Sequence, residues 1–342
     1  MRGRLLLEAT LVAGHLTGPG RPHGRHHGTV ADCRPRASRP LGTHPRPLLP
    51  LPYCGDRGLP PRGRPLVSVG ADPLITVVIP AWGDYVSLLP GCVASVLSQE
   101  GPSIRVVVVD NASDLPLPGL PEAVDVVRLP ERLGVGGARN AVLGHIESPL
   151  VCFFDVDDLM LPGMLAALTR GLATREDSVG CVGRFLSWNA ATDVRTDTAR
   201  MPRPVVYRLS PHRRLFAASS LLFNSFLVAG GVYRTQAVRD AGGFGDGNLG
   251  EDWLLAIGLS LRGSLVFLPD PLFLHRIEAG SLWHRRHERA DVERLYAAAR
   301  ERIDRDTAAP SWVRRSLPAA HLVHRFEVFR RTRGGSLHPA VP

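Results

Sequence analysis

The sequence has no lysine: all 41 of its basic residues are arginine. Aromatic residues make up only 6% of the chain and do not interleave with the arginines. A single-strand nucleic-acid binder needs basic and stacking side chains together, so that class is excluded. Cysteine is scarce and odd in number: Cys33, Cys54, Cys92, Cys152 and Cys181, with no CxxC spacing. That pattern builds neither a disulfide framework nor a zinc site. Three of the five lie in apolar or helical surroundings, where a free thiol behaves as a small hydrophobe, and a reducing cytoplasm is the expected compartment. No run of about 18 apolar residues occurs, so no spanning helix is expected. Met1 to Gly14 sets a short apolar patch behind two arginines, but Glu8 interrupts it and no small-residue cleavage site follows. Export is therefore not expected.

What is present is ordinary for a globular chain, with 44% hydrophobic and 21% charged residues over 342 positions. The formal charge of +9 is uneven. Residues 1–72 hold 11 arginines against 4 acids, residues 282–342 hold 13 against 7, and residues 73–281 hold 17 against 21. Basicity thus belongs to the flanks, and the middle is slightly acidic. The first 72 residues also carry 11 prolines and 11 glycines without apolar periodicity. Such a segment buries too little surface to offset its ordering entropy. The expected organisation is a disordered segment over 1–72, a folded domain over 73–281, and an Arg-rich helical extension over 282–342. The extension offers either a packed helical hairpin or a peripheral contact with the inner, anionic face of a membrane.

The most informative stretch is Val151-Cys152-Phe153-Phe154-Asp155-Val156-Asp157-Asp158. Its apolar run suits a strand buried on both faces of a parallel sheet, and ligands bind at the carboxyl ends of such strands. Three carboxylates within four residues repel one another unless a cation sits among them. Mg²⁺ and Mn²⁺ take oxygen ligands and share them with phosphates, so a metal–diphosphate site is one reading. The other is a solvated Asp-rich turn with Asp158 capping the next helix.

Around it, period and punctuation predict strands over Leu74–Pro80, Ile104–Asp110, Val124–Leu129 and Leu150–Phe154. Helices are predicted over Ser87–Leu97, Gly137–Ile146 and Pro162–Ala173. This alternation predicts an α/β fold with a doubly wound, mostly parallel sheet. Further on, Cys181–Trp188 reads as a strand, Phe216–Tyr233 as an apolar cleft lining, and Gly242–Gly250 as a glycine-rich loop. That loop delivers Glu251-Asp252-Trp253 to a helix, Leu254–Arg262. Leu265–Leu268 reads as a short last strand, Arg289–Arg305 as a helix, and 312–333 as one or two more.

Five stretches in this order resemble family 2 of the GT-A glycosyltransferases, over roughly Ile75 to Ser281. They are Val77–Trp82, Val108–Ser113, Gly134–Asn140, Phe154–Asp158 and Gly250–Asp252. The resemblance implies a GT-A fold and inverting, metal-dependent transfer of a sugar from a nucleotide-diphosphate donor, a UDP-sugar above all, to an acceptor hydroxyl. It implies that Pro80 and Trp82 lie along the donor, with Trp82 stacking on its base. Asp110 would accept a hydrogen bond from a uracil-like N–H. Arg139 would pair with the diphosphate or orient the aspartates. Asp155 and Asp157 match the family's DxD pair, which holds Mn²⁺ or Mg²⁺. Asp252 matches the base that takes the acceptor's proton, with neighbouring Glu251 as substitute or positioner. The plainer reading of Glu251 and Asp252 is a favourable acidic start to a helix.

Two departures from the family stand out. Many members carry a histidine after the last strand, where it completes the metal shell. Here Leu274-His275-Arg276-Ile277-Glu278 puts Glu278 at that place, and His275 is displaced by three residues. Glu278 is taken as the expected oxygen ligand, with His275 the other candidate. Gly83-Asp84 also replaces the common Asn-Glu after the aromatic.

Other activities fit less well. A nucleotide-sugar pyrophosphorylase-like enzyme uses a lysine in a loop after the first strand, and none exists. A dehydrogenase reading of Gly134-Val135-Gly136-Gly137 places the third glycine of GxGxxG at Arg139, after the third strand rather than the first. A catalytically inactive nucleotide-sugar-binding relative is the remaining alternative, against which all the expected carboxylates are present. The acceptor, whether glycan, lipid, peptide or metabolite, is not encoded in these motifs.

Overall fold

The computed structural model describes residues 73–197, 208–222, 228–245, 247, 249–277 and 289–333. The expectation of disorder for 1–72 therefore lies outside the described residues. Strand β1 (Ile75–Ala81) is apolar and buried along its whole length. It pairs in parallel with β2 (Ile104–Asp110) on one side and β4 (Leu150–Phe153) on the other, and β2 pairs in parallel with β3 (Val124–Arg128). A strand with two apolar faces needs cover on both, and each face has it. Ile75, Val77 and Ile79 share one core cluster with residues of α1 (Leu89–Leu97) and α3 (Met164–Ala173). Val78 belongs to the opposite cluster, with Ala138 and Val142 of α2 (Val135–Leu143). The two-residue period of the strand thus divides it between two helix layers.

The rest of the sheet brings in antiparallel neighbours. Its order is β3-β2-β1-β4-β8-β6-β9-β5, with β7 paired to β6. Here β5 is Leu159–Met160, β6 Ser178–Asn189, β7 Val194–Thr196, β8 Gly231–Arg234 and β9 Ser264–Arg276. The α/β fold read from the sequence is borne out, wholly parallel where strands and helices alternate and mixed beyond β4. Between these strands lie α4 (Arg213–Leu222), α5 (Thr235–Asp240) and α6 (Glu251–Ser260); α7 (Arg289–Arg305) and α8 (Ser311–Arg333) follow. A third cluster, including Trp253, Ile257, Ile303 and Val313, ties α7 and α8 to α6.

Three expectations need correction. The last strand is no short segment: β9 runs 13 residues through Pro269 and Pro271, in parallel with β6. Prolines are tolerated there because the pairing slips between Val182 and Phe185 and leaves the ladder interrupted. Phe216–Tyr233 is in its described part core as well as cleft wall: Phe216 and Tyr233 are wholly buried, while Ala217 and Leu221 line small clefts against α6, α7 and α8. Asp158 caps no helix: α3 begins six residues later, at Met164, with Gly163 in the left-handed conformation before it.

Candidate active site

The carboxyl ends of β1, β2 and β4 lie at one edge. Ala81 is in register with Asp110, and the Phe154 N–H bonds Val78 O, so Trp82, Asp110 and Asp155 emerge side by side. Pro80 is the sixth residue of β1 and is buried. Trp82 is half-buried, its ring 5.5 Å from that of Tyr85 and 5.8 Å from the Arg132 guanidinium. Asp110 is 1% exposed. Its Oδ1 accepts from the Ser113 N–H at 2.9 Å, and its Oδ2 lies 3.0 Å from Arg128 Nη1. The turn after it is held by Asn111, whose side chain donates to Leu133 O and accepts from Leu133 N, both at 2.8 Å. Ala112 adopts a φ of +47° to make that turn, an unusual conformation for a residue with a side chain.

Asp155 and Asp157 stand at the site's mouth, both half-buried. Asp158 is fully buried and is bound from β9: His275 Nδ1 lies 3.1 Å from Oδ1, and the Arg276 N–H donates to the same oxygen at 3.0 Å. The Arg276 Nε donates to Asp157 O at 3.1 Å, while its guanidinium stacks 4.6 Å over Trp188. The antiparallel pairing of β5 with β9, Leu159 opposite Leu274, sets this alignment. Strand β9 therefore grips the acidic turn from behind.

Arg139 joins this corner to the next. It is 4% exposed, on α2, and donates to Asp155 Oδ1 and, at 3.4 Å, to Glu251 Oε1. Its guanidinium lies 4.9 Å from the Phe244 ring, and its buried Nε has no partner among the described residues. A surface ion pair, the plain reading of an arginine, does not apply. The close approach of α2 to α6 requires glycine: a Cβ on Gly136 would sit 1.8 Å from Gly245 O and 2.8 Å from Glu251 Cβ. Asn140 fixes the intervening loop by accepting from Phe244 N at 2.9 Å and donating to Phe244 O at 3.1 Å. Asp252, at the first turn of α6, accepts from the Trp253 N–H at 2.8 Å. Gly250 precedes it with φ +66°, where a Cβ would strike Leu295 at 2.5 Å.

The electrostatics follow from burial among like charges. Asp157 is pushed up to about 7, first by burial and then by Asp158 and Asp155. Glu251 is also pushed up to about 7, by burial and Asp252, against the pull of Arg139. Burial alone would lower His275, but Asp158 outweighs it, with Asp157 and Asp155 adding to the rise, and raises it to about 9. Arg139 is held firmly charged: Asp155 and Glu251 overcome the cost of its burial.

Two mouth carboxylates beside a buried third are a donor set that suits a hard dication sharing ligands with a phosphate. Among the described residues no three His, Cys, Asp or Glu side chains form a ready cage. Glu278 falls outside the described residues. His275 faces Asp158, so the alternative ligand is already engaged.

Several contributors escape a reading of motifs alone. Asn140 closes a recognisable run, yet its task lies at Phe244, 104 residues away. His275, Arg276 and Phe244 act through partners that no local spacing reveals. The paired glycines before Arg139 were the available signal of a close approach.

The family model described as glycosyl transferase family 2 matches residues 76–229. The succinoglycan biosynthesis protein ExoO of Rhizobium meliloti (strain 1021) is 27% identical over 238 residues, 61% of this chain and 62% of that protein. The match thus spans less than two thirds of that relative. An uncharacterized glycosyltransferase of Haemophilus influenzae (strain ATCC 51907 / DSM 11121 / KW20 / Rd) is 26% identical over 186 residues, 54% of this chain and 63% of that protein. Among solved structures, S. aureus TarS 1–349 in complex with UDP-GlcNAc superposes with a TM-score of 0.56 at 19% identity, covering 78% of this chain and 76% of that one. At that identity the likeness shows the fold.

Proposed function

Residues 76–229 belong to glycosyl transferase family 2, and from that premise we propose that the chain is an inverting glycosyltransferase using a nucleotide-diphosphate sugar, with Asp155 and Asp157 holding a divalent cation. The observation that carries this reading is the buried Arg139, which binds Asp155 on one side and Glu251 on the other. It holds the strand-end acids and the helix-start acids at one edge, donor side against acceptor side.

Asp110 and Trp82 take the nucleoside, through a carboxylate acceptor at the end of β2 and an aromatic face at the end of β1. The TarS complex with UDP-GlcNAc supports a uridine donor by likeness of fold. Bound at Asp155 and Asp157, the cation would neutralise the charge of the departing diphosphate. Asp252 accepts the proton of the acceptor hydroxyl as that oxygen bonds the anomeric carbon and the bond to the diphosphate breaks on the opposite face. The proton stays on Asp252 and the diphosphate leaves with the bonding pair. Glu251, engaged by Arg139, serves as positioner.

Incubation with UDP-sugars and Mn²⁺ should release UDP, slowly onto water and faster onto a suitable acceptor. A product with the donor's anomeric configuration would overturn inversion. Equal UDP affinity in Mn²⁺ and in chelator, by calorimetry, would overturn the metal reading.

A further inference from the structure

We infer that Arg302, on α7 and outside the residues matched to the family, is a positioning residue for the catalytic corner; this rests on the transferase reading above. The loop between α5 and α6 turns through two successive left-handed glycines, Gly242 with φ +80° and Gly243 with φ +64°. Side chains rarely adopt that conformation, and glycine does so freely. The turn brings the carbonyls of Ala241, Gly242, Gly243 and Phe244 within reach of one guanidinium. Arg302 Nη1 donates to Ala241 O at 3.3 Å, to Gly243 O, and to Leu254 O at 3.2 Å. Its Nη2 donates to Gly242 O at 3.2 Å and to Phe244 O at 3.0 Å.

Five carbonyls thus meet the end of one side chain, most of them beyond the end of a helix and without an intrahelical partner. Only a planar, fixed fork satisfies so many acceptors at once; an ammonium is a compact point charge on a flexible stem. The loop so held leads directly into the site. Phe244 O is shared between Arg302 and Asn140 of α2, and the Phe244 ring lies against Arg139. One residue on, the Gly245 N–H bonds Glu251 O at 3.2 Å. Arg139 in turn bonds Asp155 and Glu251. Arg302 touches none of the reacting groups; it acts through Phe244 and the start of α6. A small misplacement of a base or a charge partner is enough to slow chemistry while leaving binding intact.

The test compares Arg302→Lys and Arg302→Ala with the control Arg305→Ala, whose residue on the same helix pairs with exposed Glu301. The full chain is assayed well below each variant's melting temperature, with UDP-GlcNAc and Mn²⁺, reading release of UDP. Arg302→Lys retains the charge and most of the reach and is the discriminating variant should Arg302→Ala fail to fold. Expected is a fall in kcat of about tenfold or more for Arg302→Lys with KM changed less than about threefold, as for lost positioning. Arg305→Ala should match the unaltered chain. Full turnover in Arg302→Lys, an equal loss in Arg305→Ala, or a rise in KM alone would overturn the inference. Failure of the unaltered chain to release the nucleoside diphosphate from any nucleotide sugar would instead overturn the transferase reading. In that case a stability cycle still decides whether Arg302 and Glu251 are coupled: Arg302→Lys and Glu251→Gln should be non-additive, and additivity would sink the inference.

Discussion

The parallel half of the sheet and the half built on β9 and α6 reach the same edge by different means. In the first, Trp82, Asp110 and Asp155 each follow directly from the end of a buried apolar strand. Their positions are set locally, by strand register and the turn that follows. In the second, Glu251 and Asp252 follow a glycine loop held by Asn140 from α2 and by Arg302 from α7. Binding groups thus stand on the rigid frame, and the proposed base stands on an element fixed by distant side chains. A recognition function tolerates the first arrangement anywhere in a fold, whereas catalysis needs both halves brought to one geometry.

The sharpest way to break this division is Asp252→Asn. The variant keeps the size of the side chain and its acceptor for the Trp253 N–H but cannot hold the acceptor's proton. Turnover should fall by about 10²–10⁴-fold, the usual worth of a positioned base, with UDP affinity unchanged. Glu251→Gln is the comparison, because it should weaken the Arg139 contact. A larger loss at Glu251 than at Asp252 would exchange their roles. Equal, mild losses would reduce both to an acidic helix start.

Next in size is Asp157→Ala, which tests the frame half. Asp157 is the mouth carboxylate whose protonation is pushed up to about 7 by burial and by its neighbours, so a cation has most to gain there. The substitution should remove the Mn²⁺-dependent part of UDP binding by calorimetry while the melting temperature holds or rises. Retained metal dependence would mean that Asp155 and groups outside the described residues suffice.

The difference between the halves also explains what was legible beforehand. Alternating apolar strands and helices are local signals, so β1 to β4, α1 to α3 and the carboxylates at the strand ends could be read directly. Gly136 was read only as part of a motif, and nothing local showed that Gly245 and Glu251 lie against it. The roles of Phe244, His275 and Arg302 were invisible, because each depends on pairings between residues 48 to 117 positions apart. β9 was misjudged for a physical reason: prolines at 269 and 271 read as a stop, but the slipped register tolerates them. Asp158 was misjudged because a carboxylate before a helix suggests a cap, and only the fold brings His275 to it.

A smaller effect tests whether the seam between the halves is as tight as it looks. Gly136→Ala adds one methyl where Gly245 O would lie 1.8 Å away, in backbone that has little room to move. Overpacking of this kind costs typically about 1–3 kcal/mol. The melting temperature should drop by several degrees, and turnover should fall as α6 is displaced. Gly144→Ala, where nothing lies within 4 Å, is the matched control and should be neutral or slightly stabilising. If the two variants behave alike, the seam is looser than the geometry says.

The smallest expected effect sets two Arg–Asp pairs against each other. Arg105 and Asp125 join β2 to β3 at 2.6 Å, but their side chains are 44% and 53% exposed. Arg139 and Asp155 make the same chemical pair with the arginine almost wholly buried. Water and salt screen the first pair, and ordering two long side chains offsets much of its attraction, leaving about 0–1 kcal/mol. Asp125→Asn should therefore shift the denaturation midpoint marginally in dilute buffer. In 1 M salt, where screening acts within about 3 Å, the shift should vanish. Asp155→Asn removes the charge facing a buried arginine, so its effect on stability should be larger and should persist in salt. If both effects were equally small and equally salt-sensitive, Arg139 would be no more than a surface arginine in solution, and the link it makes between donor side and base would fall with it.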